Sequence, residues 1–119
     1  MKKVLVIEDE EMLQDIIFQS LEAKGISVDI AGNGIDGIDK FKADSDRVVI
    51  LDMYLPDIKG YEIYTALREI RKDPIVIISS GNSTCADVNK IIKYKNISIL
   101  EKPYMIKDLR ELFDSIDYK

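Results

Sequence analysis

The 119-residue sequence has no histidine and no tryptophan, a single cysteine and only three prolines. The absence of histidine removes the commonest general base and the commonest ligand of transition metals. The single cysteine, Cys85, excludes an intrachain disulfide and is typical of a reducing compartment. No apolar run is long enough to cross a bilayer, and the start MKKVLVIEDEE lacks the apolar segment of a signal peptide. We therefore expect a cytoplasmic protein without a membrane partner.

Positive charge is also scarce. Lys and Arg total 17 against 22 Asp and Glu, which gives a formal net charge of −5. A chain with this balance lacks the cationic surface that binds the phosphates of nucleic acids, so we expect no direct nucleic-acid partner. The length suits one domain over residues 1–119 with a substantial core, and no segment has the composition of a linker or repeat.

Short apolar runs rich in β-branched residues alternate with longer segments of helical period. The runs cover residues 4–7, 26–30, 48–51, 75–78 and 97–100, and they predict five strands. The apolar residues with helical spacing between and after these runs are Leu13, Ile17 and Leu21; Ile38 and Phe41; Ile63, Leu67 and Ile70; Val88, Ile91 and Ile92; and Leu109, Leu112, Phe113 and Ile116. Strands that alternate with helices predict βαβ units, a parallel sheet and an α/β fold.

The polarity of the predicted strands indicates their order in the sheet. The first, third and fourth are apolar without a break, which is typical of strands covered on both faces. The second and fifth contain Ser27, Asp29 and Ser98 at alternate positions, so we expect them at the two edges. Right-handed crossovers then favour the order 2-1-3-4-5. In such a doubly wound sheet a crevice opens between the first and third strands, at their carboxyl ends.

Charged and hydroxyl side chains follow four of the predicted strands. They are residues 8–11 after the first, Asp52 after the third, Ser79 and Ser80 after the fourth, and Glu101 and Lys102 after the fifth. Each has an ordinary structural interpretation when taken alone; Glu10 and Glu11, for example, suit the first turn of a helix. Two carboxylates about 4 Å apart repel by roughly 4 kcal/mol at an effective dielectric constant near 20, which favours a hard cation such as Mg²⁺ between them. The crevice is therefore predicted to hold Mg²⁺ and to receive a phosphoryl group that a carboxylate attacks.

The motifs VLVIEDE, VVILDMYLPDIKG, PIVIISSG and EKPY occur in an order and spacing that resemble the receiver domain of two-component response regulators. The resemblance covers nearly the whole chain. It implies a flavodoxin-like (βα)5 fold and phosphorylation of Asp52 by a sensor histidine kinase, a phosphotransfer protein or a small phosphodonor. It also implies that the chain is not an enzyme beyond catalysing its own phosphorylation and dephosphorylation.

The resemblance assigns roles to further residues of the crevice. The implied Mg²⁺ ligands are Glu8, Asp9, Asp52 and the backbone carbonyl of Tyr54. Ser79 corresponds to the hydroxyl residue of the family's switch, and Lys102 to the lysine that contacts the phosphoryl group. Gly60 matches the turn into the third helix, where glycine is expected to ease the backbone.

Phosphorylation in this family biases an equilibrium between two states. The face of the fourth helix, fifth strand and fifth helix then meets a downstream effector or output domain, and it often forms a dimer. The sequence departs from the family at Ile99, where many receivers have a Tyr or Phe whose ring rotates in the switch. Tyr104 is interpreted as a packing residue, and Cys85 as a small side chain near the start of the fourth helix. Gly37 is expected to weaken the second helix by about 1 kcal/mol relative to alanine.

Other functions fit parts of the pattern. Mg²⁺-dependent phosphatases with a strand-end aspartate nucleophile usually carry a second aspartate two residues later, where this chain has Tyr54. Flavodoxins bind phosphate in a loop rich in Ser, Thr and Gly after the first strand, where this chain has EDEE. The main alternative is a receiver-like protein-binding module that works without phosphorylation.

Overall fold

The computed structural model describes residues 3–81 and 86–115, in which strands and helices alternate. The strands are β1 (Lys3–Ile7), β2 (Ser27–Ala31), β3 (Val48–Asp52), β4 (Val76–Ser80) and β5 (Ile97–Glu101). The helices are α1 (Glu11–Glu22), α2 (Gly34–Ala43), α3 (Gly60–Ile70), α4 (Ala86–Ile91) and α5 (Ile106–Ser115). All five predicted strands are present, with ends that differ from the predicted ones by a residue or two.

The strands form one parallel sheet in the order β2-β1-β3-β4-β5. β3 and β4 are buried along their whole length, whereas β2 and β5 contain partly exposed residues. Covered central strands need continuous apolar sequence, and edge strands tolerate polar side chains. The predicted doubly wound α/β fold and its strand order are therefore confirmed.

Alternate residues of the strands pack against two separate layers of helices. Leu5 and Ile7 of β1 belong to a core cluster with α2, α3 and α4, which we call the α3 face. Val4 and Val6 belong to a second cluster with α1 and α5, which we call the α5 face. Among the described residues, no helix is both long and apolar enough to cross a membrane.

The helical stripes of the sequence are largely confirmed as core positions, with one error. Ile92 was expected in the core but is 47% exposed, and it lies one residue beyond the end of α4. The expectations for Cys85 and Ile116 lie outside the described residues.

Two glycines allow close contacts that a larger residue would prevent. A Cβ atom on Gly37 would lie 2.6 Å from Ile7 Cδ1, so glycine lets α2 pack directly onto β1. A Cβ atom on Gly60 would lie 2.5 Å from Met53 Sδ and 2.9 Å from Met53 Cα. Gly60 does not have a positive φ, so the expectation that it eases the backbone is wrong. Space, rather than backbone freedom, requires glycine at this position.

The loop after β3 is fastened to the start of α2. Asp57 Oδ1 accepts a hydrogen bond from the Gly34 N–H at 2.9 Å, and Oδ2 accepts one from the Ile35 N–H at 3.0 Å. Free N–H groups at a helix start need acceptors, and a carboxylate there also interacts favourably with the helix dipole. Asp57 thereby ties the segment beyond Asp52 to the neighbouring helix.

Candidate functional site

The carboxyl ends of the strands bring acidic and hydroxyl side chains to one edge of the sheet. Ile7 pairs with Leu51, which places Glu8 beside Asp52, and Asp52 pairs with Ser79. Glu8, Asp52 and Ser79 are 2%, 5% and 1% exposed, respectively. Burial of two carboxyl groups is unfavourable unless they are paired with charges or hydrogen-bond donors, so these residues require partners.

The site lies on the α5 face of the sheet. In strands, residues two apart share a face, and Ile50 and Ile77 pack in the cluster of that face. Asp52 and Ser79 each lie two residues further along the same strands. Helices α1 and α5 are thus the helices on the same side of the sheet as the Asp52 and Ser79 side chains.

Three carboxyl groups form a potential metal site. Glu8, Asp9 and Asp52 each provide an oxygen atom, and these atoms lie within 4.8 Å of one another. Asp9 is exposed, whereas the other two are buried. The end of β1 is held by hydrogen bonds: Gln14 Nε2 donates to the Glu8 carbonyl at 2.6 Å, and the Glu10 N–H donates to Glu8 Oε2 at 3.2 Å. An arrangement of oxygen donors alone suits a hard divalent cation.

Lys102 reaches this cluster from the end of β5. Its Nζ atom lies 3.1 Å from Glu8 Oε1 and 3.5 Å from Asp52 Oδ2. Burial by itself lowers the pKa of Lys102, but the charges of Asp52 and Glu8 outweigh it and raise that pKa above its ordinary value. The backbone N–H of Lys102 donates to the Ser80 carbonyl at 2.8 Å, which fixes the loop to β4. The ammonium group is therefore charged and held between two carboxyl groups.

The environment of Glu8 strongly favours its protonated form. Burial, followed by a hydrogen bond with Asp52 and repulsion from its charge, raises the pKa of Glu8 from 4.5 to about 7. Lys102 and the Glu10 N–H act in the opposite direction but do not compensate. Near pH 7 the Glu8 carboxyl group is therefore protonated for part of the time. The positive charge of Lys102 alone does not keep Glu8 fully ionised.

The position of Asp52 is set by the loop that follows it. The Tyr54 N–H donates to Asp52 Oδ1 at 3.0 Å, which orients the carboxyl group so that Oδ2 lies near Lys102. An isolated antiparallel bridge between Tyr54 and Lys59 closes this loop. The Tyr54 side chain is 56% exposed. The role of its carbonyl as a metal ligand stays a prediction.

A tyrosine that was expected to serve only in packing also lies at the site. Tyr104 packs against the cluster of the α5 face, as expected, but its hydroxyl is buried beside Ser79. Within residues 3–81 and 86–115, neither Ser79 Oγ nor Tyr104 Oη has a partner at hydrogen-bond geometry. This position at the site was missed from the sequence, although the place of Tyr104 two residues after Lys102 could have indicated it.

The structure brings most of the predicted residues together. Glu8, Asp9 and Asp52 form the acidic cluster, Lys102 contacts two of its members, and Ser79 lies opposite Asp52. Ile99 lies in β5 at the position where many receivers have a Tyr or Phe, and it is partly buried on the α3 face. An aliphatic residue therefore occupies the place of the rotating ring.

Solved structures share this fold over nearly the whole chain. The chemotaxis protein CheY4 of Vibrio cholerae is 20% identical, with a TM-score of 0.88 over 98% of this chain and 99% of that chain. A receiver domain protein of Clostridium thermocellum is 26% identical, with a TM-score of 0.84 and coverages of 96% and 92%. The receiver domain of the sensor histidine kinase PA1611 of Pseudomonas aeruginosa PAO1, solved with a magnesium ion coordinated in its active site cleft, is 21% identical, with a TM-score of 0.82 and coverages of 95% and 94%.

Sequence comparisons agree with the structural ones. The response regulator ArlR of Staphylococcus saprophyticus is 33% identical over 109 residues, which are 92% of this chain and 49% of that protein. ArlR of Staphylococcus aureus strain Mu50 is 32% identical over the same shares. This chain spans about half the length of these curated relatives. Residues 4–114 match the family described as the response regulator receiver domain. The chain therefore belongs to the receiver domain family of two-component response regulators.

Proposed function

We propose that the chain is a phosphorylation-activated switch of a two-component phosphorelay, in which Asp52 accepts the phosphoryl group. The contact of one lysine with two buried carboxyl groups supports this proposal most directly: Lys102 Nζ lies 3.1 Å from Glu8 and 3.5 Å from Asp52. A structural ion pair needs a single carboxylate. A second carboxyl group, which stays partly protonated, suggests a site that binds a further cation and an incoming anion.

We infer that the cation is Mg²⁺. Glu8, Asp9 and Asp52 would hold it with oxygen atoms, and the Tyr54 carbonyl would complete the protein ligands. The residues fit this ion because the donors are all oxygens and because Glu8, whose pKa is raised by burial and by the neighbouring Asp52, lacks enough positive charge beside it. When bound, Mg²⁺ supplies charge that neutralises anionic oxygens at the site. The fold shared with the magnesium-bound PA1611 receiver domain is consistent with this assignment.

The residues of the chain have distinct tasks in phosphoryl transfer. An oxygen of Asp52 forms a bond to phosphorus while the bond from phosphorus to the donor breaks, and the leaving group takes the electron pair. The Tyr54 N–H holds the other carboxyl oxygen of Asp52. Lys102 is close enough to contact the new phosphoryl oxygens, and Ser79, opposite Asp52 in the sheet, donates its O–H. Charge-assisted and neutral hydrogen bonds contribute about 1.5–3 and about 1 kcal/mol, respectively, which is of the order needed to shift a two-state equilibrium.

The proposed partners follow from this role. A sensor histidine kinase or a phosphotransfer protein would supply the phosphoryl group. A downstream effector or an output domain would read the changed face of α4, β5 and α5, on which a phosphorylated dimer would also form. In this proposal the chain catalyses its own phosphorylation and dephosphorylation and does not act on other substrates.

The test is phosphorylation by a small donor. The native chain and Asp52→Asn are incubated with acetyl phosphate or phosphoramidate and Mg²⁺, and their intact masses are measured. We expect the native chain to gain one phosphoryl group that is stable in acid and labile in base, and Asp52→Asn to gain none. Asp39→Asn, which changes an exposed aspartate of α2, is the matched control and should react as the native chain does. A native chain that gained no phosphoryl group would favour the alternative of a binding module independent of phosphorylation.

A further inference from the structure

Two buried hydroxyl groups at the site lie next to each other without hydrogen-bond partners. Ser79 Oγ and Tyr104 Oη are both inaccessible to solvent, and neither has a partner at hydrogen-bond geometry within the described part of the chain. A buried hydroxyl without a partner is unfavourable, so each of these groups requires a partner that the described side chains do not supply. Here both groups lie beside the carboxyl group that we propose to be phosphorylated.

The fold explains why these groups meet. Ser79 continues the line of Ile77 on the α5 face, and Tyr104 packs against the same cluster from the loop after β5. Ile99, by contrast, packs on the α3 face, on the other side of the sheet. Tyr104 thus contacts the site from the face opposite the position at which many receivers have their rotating ring.

The surroundings of Tyr104 keep its phenol protonated. Burial raises the pKa of Tyr104, the nearby Ser79 side chain opposes this effect, and the charge of Glu8 adds to it. The hydroxyl is therefore a proton donor at neutral pH. An open groove of about 410 Å³ between α1 and the loop after β5 is lined in part by Tyr104.

We propose that Tyr104 is a positioning residue that acts through Ser79, by donating its hydroxyl proton to Ser79 Oγ while Ser79 donates its own proton to the phosphoryl group on Asp52. Each hydroxyl then has a partner, and the chain of donors runs from Tyr104 to Ser79 to the phosphoryl oxygen. Hydrogen bonds in such a chain polarise and strengthen one another. This inference rests on the proposed function, because it requires a phosphoryl group or its analogue at Asp52.

A double-mutant cycle with beryllofluoride as the phosphoryl analogue tests the inference. Beryllofluoride affinity is measured by calorimetry at a fixed Mg²⁺ concentration for the native chain, Tyr104→Phe, Ser79→Ala and the double variant. Phenylalanine preserves the ring and its packing and removes the hydroxyl alone. We expect Tyr104→Phe to weaken affinity about fivefold, from the net strength of one hydrogen bond, and to have no further effect when Ser79 is already alanine. Tyr94→Phe, on the α3 face, is the matched control and should leave affinity unchanged.

The possible outcomes separate this inference from the proposed function. Equal weakening by Tyr104→Phe with and without Ser79 would overturn the inference, because the phenol would then act independently of the serine. Unchanged beryllofluoride affinity in Tyr104→Phe would also overturn the inference. If the native chain still bound beryllofluoride, the proposed function would remain intact. A native chain that bound no beryllofluoride in the presence of Mg²⁺ would overturn both.

Discussion

Glu8→Gln should remove a specific part of the pH dependence of stability in the metal-free protein. The folded state raises the pKa of Glu8 from 4.5 to about 7, so it binds this proton more tightly than the unfolded chain does. The stabilisation from the protonated form is complete below pH 4.5 and is lost as the pH rises to 7. A shift of that size corresponds to about 3 kcal/mol of the free energy of unfolding. Glutamine does not titrate, so the variant should lack this decline.

The assay is urea unfolding at several pH values between 4.5 and 7.5, followed by circular dichroism in the presence of a metal chelator. Taking the difference in unfolding free energy between native and Glu8→Gln chains cancels the contributions of titrating groups that do not interact with Glu8. That difference should fall by about 3 kcal/mol from the lowest to the highest pH. Added Mg²⁺ should diminish the fall for the native chain, since a bound cation favours ionised Glu8.

Glu10→Gln is the matched control, because Glu10 is an exposed neighbour of Glu8 on the same loop. It should keep the pH dependence of the native chain. If Glu8→Gln and native chains lost stability in parallel over this range, the buried carboxyl would not carry the extra proton. The charge deficit that we use to assign the metal would then have no basis.

Other predictions concern the metal, the packing and the cap of α2. Asp9→Ala should weaken Mg²⁺ binding markedly in calorimetry; unchanged affinity would remove Asp9 from the metal site. Gly37→Ala should lower the free energy of unfolding by about 1 kcal/mol in urea titrations, because overpacking against Ile7 costs about 1–3 kcal/mol and exceeds the helix-propensity gain of about 1 kcal/mol. Ile7→Ala should reduce that loss, since it removes all three Ile7 atoms that would lie within 3 Å of the added methyl group, and an equal loss in both backgrounds would refute the clash. Asp57→Ala should cost about 1 kcal/mol of stability at neutral pH, because the N–H groups of Gly34 and Ile35 lose their acceptor while the N-cap of α2, Asn33, remains. The hydrogen bond from the Gly34 N–H is the main cause that holds the pKa of Asp57 below its ordinary value of 3.8. The stabilisation by Asp57 is therefore present above pH 3.8 and is lost as the pH falls below that value. A cost of Asp57→Ala that persisted in acid would argue against this interaction.

The expectations that succeeded relied on patterns of neighbouring residues. β-branched runs predicted the strands. Ser27, Asp29 and Ser98 identified the edge strands, because successive side chains of a strand point to opposite faces and a polar side chain at alternate positions indicates an exposed face. Strand order then brought the ends of β1, β3 and β4 together, which predicted the neighbourhood of Glu8 and Asp52. Local periodicity does not define where a short helix stops, and Ile92, one residue beyond α4, was wrongly placed in the core.

The amino-acid sequence by itself thus determined the architecture, the strand order and the edge at which the acidic residues meet. Tertiary packing alone decided how closely groups distant in the chain approach each other. The contact of Gly37 with Ile7, the raised pKa of Glu8 and the meeting of Ser79 with Tyr104 all depend on distances of a few ångströms. Steric repulsion, desolvation and hydrogen bonding change steeply over such distances, whereas the apolar pattern of a sequence specifies only which face of an element is buried.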